Sequence, residues 1–140
     1  MSRYTFSIKN SDSVLVKLSD IINLIPNNQL HWSILELTGS GNLTISSKID
    51  SMSALIKLID KNRYGFSMQF DELQVIANSL ENLDECFIVG TTKKNTRNIV
   101  EILNNRKQYD YIIDYFDSST LEIESSNLTF IESLYSIYNQ

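Results

Sequence analysis

The segment from Tyr109 to Ser125 constrains the fold of this 140-residue chain more than any other. It contains two runs in which apolar and acidic side chains alternate, separated by Asp117-Ser118-Ser119-Thr120. Alternate side chains of a strand share a face, so the pattern predicts two strands joined as a hairpin. In the second strand Leu121 and Ile123 face a core and Glu122 and Glu124 face away. In the first, Tyr111, Ile113 and Tyr115 form the better core set, which turns Asp110, Ile112, Asp114 and Phe116 outward. A three-residue loop at Ser118-Ser119-Thr120 pairs Tyr115 with Ile123 and sets Asp114 opposite Glu124 and Phe116 opposite Glu122. Loops of two or four residues bring Asp114 against Ile123 and mix charge into the core, so they are disfavoured.

The remaining elements follow from periodicity. Tyr4, Phe6 and Ile8 alternate within a strand from Arg3 to Lys9. Val14, Leu18, Ile21, Ile22 and Ile25 predict a helix capped by Ser11 or Asp12 and ended by Pro26-Asn27-Asn28. Leu30 to Thr38 reads as a strand closed by Gly39-Ser40-Gly41, and Leu43-Thr44-Ile45 either pairs with it or begins the next connection. Met52, Leu55, Ile56 and Ile59 have helical spacing. So do Leu73, Ile76, Ala77, Leu80 and Leu83, with Asp71 as the expected cap. Cys86-Phe87-Ile88-Val89 is a continuous apolar run of the kind found in central strands. Ile99, Ile102 and Leu103 mark a further helix, and Leu128, Ile131, Leu134, Tyr135 and Tyr138 a closing one. Helices and strands alternate, yet the last two strands lie close enough only for a hairpin. The expectation is one domain over residues 1–140 of the α/β or α+β class. Its central sheet is mixed or antiparallel, with packed helices and a C-terminal hairpin plus helix.

Composition narrows the function classes. A hydrophobic fraction of 42% with 21% charged residues is that of a globular chain, not a disordered one. The N-terminal residues lack the apolar run of a signal peptide, and no stretch is long and apolar enough to span a bilayer. Cys86 is the single cysteine, which precludes an intrachain disulfide and fits a reducing compartment, so the expected location is the cytoplasm. The net charge of −5 is unevenly spread. Residues 66–92 and 108–140 carry acids and no base, whereas Lys93, Lys94, Arg97, Arg106 and Lys107 make a basic block between them. Fields of this kind repel nucleic acid and anionic membranes and attract cationic proteins. The basic block is expected to line one helix that neutralises an acidic neighbour.

Catalytic spacing is missing. His31 and Cys86 are the only imidazole and thiol, so no metal-ligand motif can be built from them, and no cofactor is expected. Cys86 sits among apolar residues, as an inert buried thiol would, and no Gly-x-Ser-x-Gly elbow occurs. Gly90-Thr91-Thr92-Lys93-Lys94 follows a strand but lacks most of a phosphate loop, and it reads as a solvated helix start. These observations point to a binding protein and not an enzyme. The competing readings are a small enzyme or ligand-binding domain with a pocket near His31 and Trp32, and a homo-oligomeric regulatory protein that associates through its aromatic hairpin.

The outward face of the hairpin combines carboxylates with apolar anchors. Like charges opposed on a sheet are destabilising, a cost offset where a cationic partner or the chain's own basic segment lies over them. A second candidate patch is Asp71, Glu72, Glu81, Asp84 and Glu85. The acidic balance together with Tyr115-Phe116-Asp117-Ser118-Ser119-Thr120-Leu121-Glu122-Ile123 and the helix from Leu128 to Tyr138 resembles the immunity proteins of bacterial polymorphic and contact-dependent growth inhibition toxin systems. The resemblance covers roughly the last third of the chain and is one of style, since immunity proteins occupy many folds. It implies a cytoplasmic protein that binds and masks a cognate toxin domain, often a basic nuclease. The expected contacts are Asp110, Ile112, Asp114, Phe116, Glu122 and Glu124.

Overall fold

The computed structural model describes residues 2–11 and 16–138. Six strands and five helices alternate with one 3-10 turn: β1 (Tyr4–Lys9), α1 (Leu18–Leu24), β2 (His31–Gly41), α2 (Met52–Lys61), β3 (Phe66–Met68), α3 (Phe70–Ser79), β4 (Leu80–Thr91), α4 (Ile99–Leu103), the turn Arg106–Gln108, β5 (Tyr111–Phe116), β6 (Thr120–Ser125) and α5 (Leu128–Tyr138). The strands form one sheet in the order β1-β6-β5-β4-β2-β3, and every neighbouring pair is antiparallel. The fold is therefore α+β, with the antiparallel form of the expected sheet.

The two faces of the sheet are covered unequally. One carries the main core, in which Phe6, Trp32, Ile34, Ile88, Ile113 and Ile123 meet the buried sides of α1, α2, α3 and α5. The opposite face has a small second cluster, where Phe87, Val89 and Ile112 pack with Ile102 of α4 and with Tyr109. Helix α4 has five residues, so it shelters only part of that face. Edge strand β1 is partly closed by α5, whose Tyr135 hydroxyl donates to the Thr5 carbonyl at 2.9 Å.

Several boundaries differ from the periodic reading. Lys17 stands at the N-cap of α1 with no side-chain bond, so Ser11 does not cap it. Asp12 and Val14 lie outside the described residues. Helix α3 stops at Ser79, and Leu80 and Leu83, expected on it, belong to β4. Gln69, not Asp71, stands at its N-cap; the Gln69 N–H donates to Glu72 Oε1 at 3.2 Å, and Asp71 Oδ1 accepts from the Glu72 N–H at 2.9 Å. Gly39-Ser40-Gly41 does not close β2 but continues it against the first half of β4, with Gly41 opposite Leu80. A Cβ at Gly41 would run into the Ser79 carbonyl, so glycine there lets the two backbones meet, and pairing overrides the helical spacing beyond Ser79. The basic block is not one helix. Lys93, Lys94 and Arg97 lie on a loop before α4, and Arg106 and Lys107 lie on the 3-10 turn after it.

The three-residue loop of the hairpin begins one residue earlier than expected, which shifts the cross-strand register by two. Phe116 pairs with Thr120, Tyr115 with Leu121, Asp114 with Glu122 and Ile112 with Glu124. The loop is Asp117-Ser118-Ser119. Asp117 and Ser118 both have φ of 55°, and the Ser119 N–H donates to the Phe116 carbonyl at 3.2 Å. Two consecutive left-handed residues match the twist of the strands they join, and aspartate tolerates that conformation better than most side chains. A slip of two preserves which face each residue takes, so the inner set stands while the cross-strand partners change.

Candidate functional site

The part of the second sheet face that α4 leaves open is acidic. A bulge between Ile34 and Glu36 makes two residues of β2 share one position along β4, with Glu36 opposite Phe87 and Thr38 opposite Glu85. Without the bulge Glu36 would follow Trp32 and Ile34 into the core. With it, Glu36 and Glu85 join Asp114 and Glu122 of the hairpin across four neighbouring strands. Glu36, Glu85 and Glu122 are exposed, and Asp114 is half-buried. Beside them a cavity of about 290 Å³ opens between α4 and the sheet, lined by Phe87, Leu103, Arg106, Ile112, Asp114 and Glu122 among others.

The six hairpin residues named from sequence are therefore not equivalent. Asp114 and Glu122 face each other on the open surface, with Phe116 half-buried at the turn end. Ile112 is only 2% exposed beneath α4 and offers no side chain to a partner; the helix supplies the cover that the sequence left undefined. Asp110 is half-buried at the opposite end, where its N–H donates to the Gly90 carbonyl at 2.9 Å. Glu124 is engaged internally, accepting from Arg3 Nε at 2.9 Å and Arg106 Nη1 at 3.2 Å. The sequence reading does not include Glu36; the break in alternation at Ile34-Leu35 is the available signal for the bulge that places it. The second acidic patch divides, since Asp71 and Glu72 open α3 while Glu81, Asp84 and Glu85 lie on β4.

Asp114 carries the electrostatic strain of this surface. Burial, then the neighbouring charges of Glu122 and Glu36, push its carboxyl from 3.8 to about 6, with Arg106 acting in the opposite direction. The folded chain holds this proton up to about pH 6 and the unfolded chain releases it near its ordinary value. Between those values the folded state binds more protons, so stability rises as pH falls from about 7 toward about 5. Asp114→Asn is expected to flatten that part of the profile and to stabilise the chain at neutral pH by about 1 kcal/mol, a figure reduced for the solvent that reaches the group. Urea midpoints of both proteins at the two pH values test this; identical slopes would assign the dependence to another group.

The other candidate chemistry is placed differently. His31 is exposed and borders a cavity of about 480 Å³ with Gln69, Asp71 and Gln74. Trp32 points the other way and is fully buried, so it forms no part of a pocket with His31. Cys86 is buried on the core face. Loss of solvent, reinforced by Asp114 and Glu36, raises its thiol far above its ordinary range, which keeps it protonated and a poor nucleophile. Among the described residues no group of three or more His, Cys, Asp or Glu is placed to hold a metal ion, and no helix is long and apolar enough to cross a membrane. No protein-family model matches the chain, and neither a curated protein nor a solved structure shows significant similarity to it.

Proposed function

We propose that the chain is a cytoplasmic immunity-type protein that binds a cognate toxin domain with a basic surface, such as a nuclease, and masks its active site. The observation that carries this reading is the uncovered acidic sheet face of Glu36, Glu85, Asp114 and Glu122. Among the described residues none of these four is in an ion pair; both ion pairs there end on Glu124. Carboxylates held together on a rigid sheet repel one another, and a cationic partner converts that repulsion into attraction. Leu103, 36% exposed, borders the same surface and supplies apolar contact beside it. Occlusion asks for no catalytic group, in keeping with the buried thiol and the isolated histidine.

Co-purification from the native cytoplasm at low and then high salt tests the proposal. A stoichiometric basic protein is expected, leaving as salt rises. Glu85→Lys with Glu122→Lys, both at exposed positions, is expected to weaken the complex by about a hundredfold or more, since each reversal replaces an attraction with a repulsion. His31→Ala should leave it intact. Recovery of the chain alone at both salts, or a complex indifferent to the double reversal but lost in His31→Ala, would overturn the reading.

A further inference from the structure

The loop that joins β4 to α4 has a feature the acidic face does not use. Lys93, Lys94 and Arg97 lie within five residues of one another, and among the described residues none of them is in an ion pair. The loop is nevertheless held in one shape from within. Asn95, 5% exposed, spends its whole amide on it: Nδ2 donates to the carbonyls of Tyr64 at 3.0 Å and Arg97 at 2.8 Å. Its Oδ1 accepts from the Arg97 N–H at 3.2 Å and the Tyr109 hydroxyl at 2.6 Å. Thr91 fastens the near end by donating its hydroxyl to the Gln108 carbonyl at 3.0 Å. The result is a cavity of about 400 Å³ bordered by the three cations and by Thr92 and Thr96, with no carboxylate in its lining.

We propose that this cavity binds a small, multiply charged phosphate anion, of the size of pyrophosphate or a nucleoside polyphosphate. Uncompensated cations on a rigid loop repel one another, and a polyanion removes that cost. Lysine and arginine are the usual cationic partners of phosphate, and threonine hydroxyls add donors to its oxygens. A loop already ordered by Asn95 loses little conformational freedom on binding. The cavity has the size of a small-ligand site. An extended nucleic acid is disfavoured, because a strand leaving the cavity would enter the field of a chain whose net charge is −5. The site is separate from the acidic face and does not depend on the toxin reading.

Calorimetric titration of the full chain with inorganic pyrophosphate and with ATP, in low-salt buffer free of divalent cations, tests the assignment. Binding tighter than about 1 mM is expected for at least one of them, with amide shifts centred on residues 91–97 in NMR spectra. Lys93→Ala with Arg97→Ala should weaken it by about tenfold or more. Lys57→Ala with Lys61→Ala, which removes equal charge from exposed positions of α2, should leave it within about twofold. Asn95→Ala should weaken binding without changing charge, and a spectrum otherwise that of the parent would show that the fold remained. Three results would overturn the proposal: no binding of either anion at millimolar concentration, equal losses in the loop and α2 variants, or a single-stranded RNA oligonucleotide that occupies residues 91–97 more tightly than pyrophosphate.

Discussion

Trp32→Ala is expected to lower the free energy of unfolding by about 3–5 kcal/mol, the range for deleting a large aromatic side chain from a packed core. Trp32 has no exposed surface. Its ring stacks on Tyr111 at 5.3 Å and meets Phe70 at 5.6 Å, so it connects β5 on one side with α3 on the other. Its indole N–H donates to Asn28 Oδ1 at 2.9 Å, and Asn28 Oδ1 also receives the Leu30 N–H at 3.1 Å. One buried ring thus joins the sheet, a helix and the connection that leads into β2. Gly90, opposite Trp32 on β4, leaves room for it; a Cβ there would lie 2.8–2.9 Å from three ring carbons. The loss is a large share of the 5–15 kcal/mol that stabilises an ordinary domain. Denaturant unfolding with two spectroscopic probes measures it, and a loss under about 1.5 kcal/mol would mean that the site collapses around the deletion.

Glu124→Gln is expected to cost about 2–3 kcal/mol although it preserves side-chain shape. Arg3 and Glu124 are 14% and 15% exposed, so the guanidinium depends on this carboxylate for its counter-charge. Arg3 also donates through Nη1 to the Tyr109 carbonyl, and its Nη2 is the one buried side-chain polar atom without a hydrogen-bond partner among the described residues. Removing the charge from Glu124 leaves a nearly buried cation uncompensated, which costs more than the pair itself contributes. Arg106 reaches the same carboxylate from a position 47% exposed, and Arg106→Ala is expected to cost less than about 1 kcal/mol. Urea unfolding of the two variants side by side separates these roles. Equal losses would show that the two arginines share the carboxylate evenly, and no loss in Glu124→Gln would remove Arg3 from the account.

The same residue shows where reading the sequence stopped short. Glu124 falls on the outward face of β6, as alternation requires, but an outward side chain is not thereby a free one. Arg3 is far away in sequence, and only the pairing of β1 with β6 brings it alongside. Ile112 met the same fate, since its face was correctly assigned but α4 folds back over it. Glu36 went the other way: a single bulge moved it onto the acidic face. Asp114 and Glu122 stayed where alternation put them, and they remain the part of the candidate site that is legible without coordinates.

Alternation along a strand is a property of each residue's neighbours, so the sequence alone determined the core sets Phe6 and Ile8, Tyr111, Ile113 and Tyr115, and Leu121 and Ile123. It also determined the hydrophobic stripe of α2 and the α+β class; on α5 Ile131 and Leu134 are buried as expected, but Leu128 and Tyr135 are exposed and Phe130 is buried instead. Register, strand order and cover depend on what the chain meets after it turns. Two left-handed residues at Asp117 and Ser118 chose among hairpin registers of equal parity. A glycine that admits a neighbouring backbone ended α3 at Ser79 and carried β2 on to Gly41. These choices rest on contacts between residues distant in sequence, and such contacts exist only once the sheet has assembled. The tertiary structure therefore decided which acids stand open on the sheet and which are already paired.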